Sequence, residues 1–415
     1  MFIQNIGGIL GAGDGASFRR GHDISHVNVI ENAWMRIADG IISDFGPMAT
    51  IPQIESTEEI LDAKGGLVLP GFCDSHTHIV YPGSRSGEFL DKINGLSYEE
   101  IASRGGGILN SADKLSALPE DILFEQSLER VREVIAMGTG ALEIKSGYGL
   151  SLESELKMLR VIARIAEATD IPIKSTFLGA HAVGRAYRGR QSEYVDHIIK
   201  DMLPAVAGEG LAQYVDVFCD TGFFTPDETA RILEAASRYD MKPKIHGNEL
   251  DVSGGVEVAI KYDALSVDHL ERAEDEQLAL LGKSNTVATM LPGASFFLGM
   301  PYGNARKAIE HNAILALASD FNPGSSPSGD MRFVWALGCI KMRLTPAEAF
   351  NALTVNGAYA MGVQDLCGTI CRGRQANLIV TKALNEADNA MSQMTEIPYR
   401  YTQPWIRRRI TPSMR

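Results

Sequence analysis

The chain has 415 residues, 45% hydrophobic and 22% charged, with 39 basic against 52 acidic side chains and a formal net charge of −13. That length allows one large barrel with a smaller appendage, and the acidic balance argues against nucleic acid or an anionic membrane surface as the main partner. A transmembrane helix is excluded by the lack of any run of about 18 apolar residues, and the start, MFIQNIGGILGAGDGASFRR, does not read as a secretory leader.

Residues 1–67 carry short alternating runs such as VNVIENAWMRIADGIISDFGP, the pattern of a small β-structure with glycine turns. GILGAGDGAS has the glycine content of a phosphate loop but not the strand, GxGxxG and helix order, so a surface turn is expected there. From residue 68, eight apolar segments alternate with helical patterns: VLPGFCDSHTHIV (68–80), GALEIKSG (140–147), PIKSTFLGAH (172–181), YVDVFCD (214–220), KPKIHG (242–247), ALSVDHL (264–270), TVATMLP (286–292) and AILALASD (313–320). In the intervening SLESELKMLRVIARIAEA (151–168), Leu152, Leu156, Leu159, Ile162 and Ile165 recur at helical spacing. Thr225-Pro-Asp-Glu228 and Thr345-Pro-Ala-Glu348 each predict a helix start with threonine as N-cap, proline at N1 and glutamate reaching back to the cap. Eight strands separated by helices predict a (β/α)8 TIM-like barrel over residues 68–362, with a doubly wound sheet as the alternative. Residues 363–415 return to short runs such as ANLIV, and both ends, 1–67 and 363–415, are expected to combine into one small β-sandwich domain. Cys73, Cys219, Cys339, Cys367 and Cys371 are odd in number and lack a zinc-knuckle arrangement, which points to reduced thiols in the cytoplasm.

In such a barrel the chemistry gathers at the C-terminal ends of the strands. His76 and His78 close the first strand, and a spacing of two puts both on one face of an extended chain. His181 closes the third, His246 the fifth with Glu249 three residues on, His269 the sixth and Asp320 the eighth. Taken singly, each has an ordinary structural explanation; Asp320 before FNPGSS, for example, suits a turn. Together they converge on one mouth. Three neutral imidazoles and a carboxylate, from His76, His78, His246 and Asp320, suit one divalent or trivalent first-row ion, zinc or iron, and with it hydrolytic chemistry. The fourth strand has no lysine to bridge a second ion, and Lys145 and Lys174 are poorly placed for that task, so one metal per subunit is expected.

This ligand pattern resembles the amidohydrolase superfamily. The segments LPGFCDSHTHIVYPGSR, SYEEIASRGGGIL, EIKSGYGL, TFLGAHAV, KIHGNEL, SVDHL, LPGASFFLG and SDFNPGSS, in that order, are similar to those of the imidazolonepropionase family. The resemblance implies hydrolysis of the ring amide of 4-imidazolone-5-propanoate to N-formimidoyl-L-glutamate, the third step of histidine degradation, by a homodimer. It makes Arg85, on its own equally a surface ion pair, a planar fork for the substrate carboxylate. It adds Tyr148, His181, Asn322, Gly324 and Ser325 as substrate-binding residues, with Tyr98 as a weaker one. Asp320 and His269 would orient the attacking water, and Glu249 would contact the ring nitrogens and carry a proton. Three features depart from the family pattern: Gly247-Asn248 replaces the usual Ala-Asp, Asn377 stands where aspartate is common, and YRYTQPWIRRRITPSMR lacks the usual closing strand-turn-strand. Other cyclic-amide hydrolases and nucleobase deaminases would share the metal ligands but not the remaining matches. A non-catalytic scaffold would have no need of Glu249, His269 and all four ligands.

Overall fold

The computed structural model describes residues 1–13, 15–96, 106–384 and 389–412; Tyr98 lies outside these described residues. Five strands come first: β1 (Phe2–Leu10), β2 (Val29–Ala38), β3 (Ile41–Pro47), β4 (Ile60–Asp62) and β5 (Leu67–Pro70). Eight parallel strands then follow in consecutive order: β6 (Phe72–Asp74), β7 (Thr139–Lys145), β8 (Ile173–Ala180), β9 (Tyr214–Cys219), β10 (Lys242–Gly247), β11 (Ser266–His269), β12 (Val287–Met290) and β13 (Leu315–Leu317). Two more, β14 (Leu378–Thr381) and β15 (Ile406–Ile410), join β1 to β5 in one mixed seven-stranded sheet. The eight barrel strands match the eight apolar segments, because a parallel strand buried on both faces reads as a short apolar run.

The first of those segments divides. Residues 68–80 are not one strand: β5 pairs with β1 and β14 in the mixed sheet, and β6 pairs with β7 in the barrel. Gly71 lies between them. Its N–H donates to the Asn377 carbonyl at 2.9 Å. A Cβ there would stand 2.7 Å from both Asn377 Oδ1 and Arg409 Nη2, and 2.8 Å from the Gly140 Cα. Only glycine allows the chain to cross between the sheets so close to a second backbone. The C-terminal segment also differs from expectation. Ile406–Ile410 does pair antiparallel with β14, so it closes the mixed sheet. Asn377, in place of the expected aspartate, donates to the Gly140 carbonyl and accepts from Arg409, tying this sheet to the barrel floor.

The barrel's last seam is closed above the strands. Beyond β6 and β13 the chain makes a parallel bridge from Thr77 to Phe321. Asp320 N–H donates to the His76 carbonyl at 3.1 Å, and His78 N–H to the Phe321 carbonyl at 3.0 Å. Beneath it the buried Asp74 carboxylate accepts from Ser319 N–H at 2.9 Å and its hydroxyl at 2.6 Å. The outer helices follow the sequence cues. Ser151 caps Leu152–Glu167, which buries Leu156, Leu159, Ile162 and Ile165, and both predicted threonine–glutamate capping boxes are formed. Among the described residues no helix is long and apolar enough to cross a membrane.

Candidate metal centre and substrate pocket

His76 and His78 follow β6, His246 lies near the end of β10, and Asp320 follows β13, so three segments of the sequence meet above the barrel axis. The His76 and His78 Nε2 atoms are 3.3 Å apart, and those of His78 and His246 are 3.4 Å apart. Asp320 Oδ1 is 3.5 Å from His76 Nε2 and 3.7 Å from His78 Nε2. Zinc–ligand bonds of about 2.0–2.1 Å put neighbouring ligands about 3.3–3.4 Å apart in a tetrahedral shell, so His78 stands at ligand spacing from His76 and His246, with Asp320 somewhat farther from His76 and His78. The chemistry fits too. Burial holds His76, His78 and His246 well below the ordinary histidine range, which keeps them neutral with a lone pair to offer.

The Nδ1 atoms of His76 and His246 are held by carboxylates that the sequence reading did not single out, whereas His78 Nδ1 is buried without a hydrogen-bond partner among the described residues. His76 Nδ1 lies 2.6 Å from Asp268 Oδ2, and His246 Nδ1 lies 3.0 Å from Asp216 Oδ1. Burial raises the cost of charge on Asp268, but Lys244 and Lys145 outweigh it and hold the carboxyl below its usual range. As an acceptor it takes the Nδ1 proton, which leaves Nε2 facing the ligand cluster. Glu143 completes this buried group with Lys145 and Lys244. A signal was present: Glu143, Lys145, Asp216, Lys244 and Asp268 are charges inside otherwise apolar barrel strands.

Above the cluster lies a pocket of about 360 Å³. It is lined by His78, Arg85, Tyr148, His181, His246, Glu249, His269, Asp320, Asn322, Gly324 and Ser325; of the predicted site residues among the described ones, only the fully buried His76 is not in the lining. Phe218, Phe223, Ile108, Leu250, Leu298 and Met300 supply apolar walls that the sequence reading missed. Arg85 Nε donates to Glu88 Oε2 at 2.9 Å, which braces the guanidinium. His181 stacks on His78 with ring centroids 5.1 Å apart, and its Nδ1 donates to the Gly147 carbonyl at 3.0 Å. Burial brings His181 down to about 4, so it is neutral at physiological pH.

His269 stands between two carboxylates, with Nε2 3.5 Å from Glu249 Oε2 and Nδ1 3.4 Å from Glu271 Oε2. Burial pulls its pKa down, yet Glu249 and Glu271 together outweigh this and leave it well above the ordinary histidine range. The turn that delivers it is strained: His269 and Leu270 have φ of 89° and 68°, a left-handed conformation that non-glycine residues adopt at a cost of about 1–3 kcal/mol each. Glu249 is fixed from below, since Asp220 Oδ2 accepts the N–H groups of Glu249 and Leu250 at 2.8 and 2.9 Å. Burial raises Glu249 to about 7 and Asp320 to about 6. The loop after β13 is organised by Asn322. Its Oδ1 accepts from Gly324 and Ser325 N–H at 2.8 Å, and its Nδ2 donates to Ser325 Oγ at 2.7 Å. Ser325 Oγ in turn donates to Asp320 Oδ2 at 3.1 Å, leaving Oδ1 toward the histidines.

The amidohydrolase family model matches residues 67–399. An imidazolonepropionase from Christiangramia forsetii is 51% identical over 364 residues, 88% of either chain. The chain belongs to the imidazolonepropionase family of amidohydrolases. Among solved structures, E. coli guanine deaminase superposes with a TM-score of 0.76 at 14% identity, covering 99% of this chain and 97% of that one. Atrazine chlorohydrolase from Arthrobacter aurescens TC1, complexed with zinc, gives 0.70 at 14% identity, covering 95% and 90%. At that identity these two likenesses concern the fold alone. Within the family, the buried histidine and aspartate groups of this chain are its metal-binding candidates.

Proposed function

We infer that the protein hydrolyses the ring amide of 4-imidazolone-5-propanoate to N-formimidoyl-L-glutamate. The observation that carries the reading is the convergence of family membership with one pocket that opens onto a buried cluster of histidine and aspartate donors and has an arginine braced at its rim. His76, His78, His246 and Asp320 would hold one metal ion per subunit, zinc or iron. When bound, such an ion lowers the pKa of water and polarises a carbonyl.

The chain's own residues do the rest. Arg85 takes the propanoate, while Tyr148, His181 and the Asn322–Ser325 loop orient the ring against the apolar wall. Asp320 and His269 orient a water toward the ring carbonyl, and the Asp320 carboxylate accepts its proton. The water oxygen joins the carbonyl carbon, and the negative charge that builds on the carbonyl oxygen is met by His269, whose flanking glutamates favour its protonated form. The ring carbon–nitrogen bond then breaks, and Glu249, held near 7, gives the departing nitrogen its proton. The five free thiols agree with a cytoplasmic location. The family resemblance suggests a homodimer, which light scattering of the purified protein would test.

The deciding experiment supplies freshly made imidazolonepropionate to metal-loaded protein, chelated protein and an Asp320→Ala variant, and follows product mass. N-formimidoyl-glutamate formed only by the loaded parent is the expected result. One bound metal with no product would overturn the substrate while sparing the centre.

A further inference from the structure

Below the metal ligands the barrel contains an ammonium group with three carboxylate neighbours. Lys145 is fully buried on β7, and its Nζ lies 2.7 Å from Glu143 Oε1, 2.7 Å from Asp216 Oδ2 and 3.4 Å from Asp268 Oδ2. Two of these partners are the carboxylates that accept the Nδ1 protons of His246 and His76. Glu143 and Asp216 accept hydrogen bonds from this ammonium, and Asp268 stands at ion-pair distance. The backbone adds a further tie, because Lys145 N–H donates to the Thr77 carbonyl at 2.9 Å, between the two histidines of the first strand.

Lys244 makes an instructive contrast. It is equally buried and contacts Glu143, but its other hydrogen bonds go to the Ser75 carbonyl at 3.0 Å and the Ala360 carbonyl at 3.3 Å. Its nearest approach to an orienting carboxylate is 3.9 Å, to Asp268 Oδ2, beyond hydrogen-bond reach. Both lysines offset buried negative charge. Only Lys145 hydrogen-bonds an orienting carboxylate, Asp216, and it is also the nearer of the two lysines to Asp268.

We propose that Lys145 is a positioning residue for the metal centre, clamping Asp216 by a hydrogen bond and holding Asp268 by an ion-pair contact, so that the imidazoles of His246 and His76 each present Nε2 to a common point. This rests on the metal-centre reading above. With Asp216 Oδ2 fixed by the ammonium, Oδ1 is fixed in angle toward His246 Nδ1–H; on Asp268 the ammonium approaches Oδ2, the oxygen that also accepts from His76 Nδ1–H, while Ser266 Oγ donates to Oδ1. A conserved-charge view of the same residues would treat the two lysines as interchangeable; the geometry does not.

The test uses zinc-loaded protein. Zinc affinity is measured by competition against a chelator of known affinity, and the downfield imidazole N–H signals are recorded by proton NMR. Lys145→Met is expected to weaken zinc binding roughly 10–100-fold, the usual range for loss of an outer partner of a ligand, and to move the Nδ1–H signals of His76 and His246. Lys244→Met should leave affinity within about threefold and those signals in place. Retention of parental affinity in a folded Lys145→Met variant overturns the proposal, and so do equal losses in the two variants, which would mean a charge effect. If Lys145→Met does not fold, Lys145→Gln, which keeps a donor without the charge, is measured against the same expectations. Parent protein that takes up no zinc overturns the metal-centre reading itself, and this proposal with it.

Discussion

Gly324 offers a direct way to test the carboxylate clamp without removing the clamp. A Cβ at residue 324 would stand 2.2 Å from Arg85 Nη1 and 2.8 Å from its Cζ. Since ordinary contact begins near 3.4 Å, Gly324→Ala must push the guanidinium away by about 1.2 Å, the difference between those two distances. The obstructed atoms are the end of a flexible side chain, and Gly324 has no positive φ to strain, so the fold should tolerate the change. What suffers is the alignment of a planar fork with a carboxylate, a charge-assisted contact worth about 1.5–3 kcal/mol. That predicts a rise in KM of about 10- to 150-fold with a smaller change in kcat, because the carboxylate is held alike in ground and transition states. Steady-state kinetics on imidazolonepropionate and on its uncharged propanamide analogue read the effect. The analogue should be poor for the parent and insensitive to the substitution. A Gly324→Ala variant with KM within twofold of the parent would refute the assignment of Arg85.

Glu249, raised to about 7 by burial, must be protonated to deliver its proton. It loses that proton as pH climbs through 7, so kcat/KM should fall on the alkaline side; Glu249→Gln should lower the rate roughly 10²–10⁴-fold and abolish this limb of the pH profile. Asp220→Ala leaves the Glu249, Leu250 and Asp251 N–H groups without their acceptor. It should cut kcat while chelator competition finds zinc affinity little altered. Gly71→Ala forces a methyl into Arg409, Asn377 and Gly140, and should cost about 1–3 kcal/mol, seen as a lower thermal midpoint with the metal site intact in the surviving folded protein.

The barrel was readable because each of its strands is a short apolar run, and because charged or ligating residues stand at one end of those runs. The run 68–80 misled because apolar character says nothing of which sheet receives it. Its division at Gly71 depends on a contact with Asn377, some three hundred residues later. Likewise IRRRI has the alternation of a strand, but its partner Leu378–Thr381 is needed to reveal it. The candidate ligands were legible only together, as ligating residue types gathered at the C-terminal ends of the strands. Lys145, Asp216 and Asp268 were not, since their meaning lies in distances between strands; Lys145 was weighed only as a bridge for a second ion. Glu271 and Asp220 escaped for the same reason, each acting on a neighbour brought to it by the fold.

The hydrogen bonds that close the barrel's seam join the segment of His76 and His78 to that of Asp320, and Asp74 meets Ser319 across 245 residues of sequence. On the proposed ligand set, the contacts that complete the donor cluster are the same contacts that close the ring, so an unfinished barrel has no finished site.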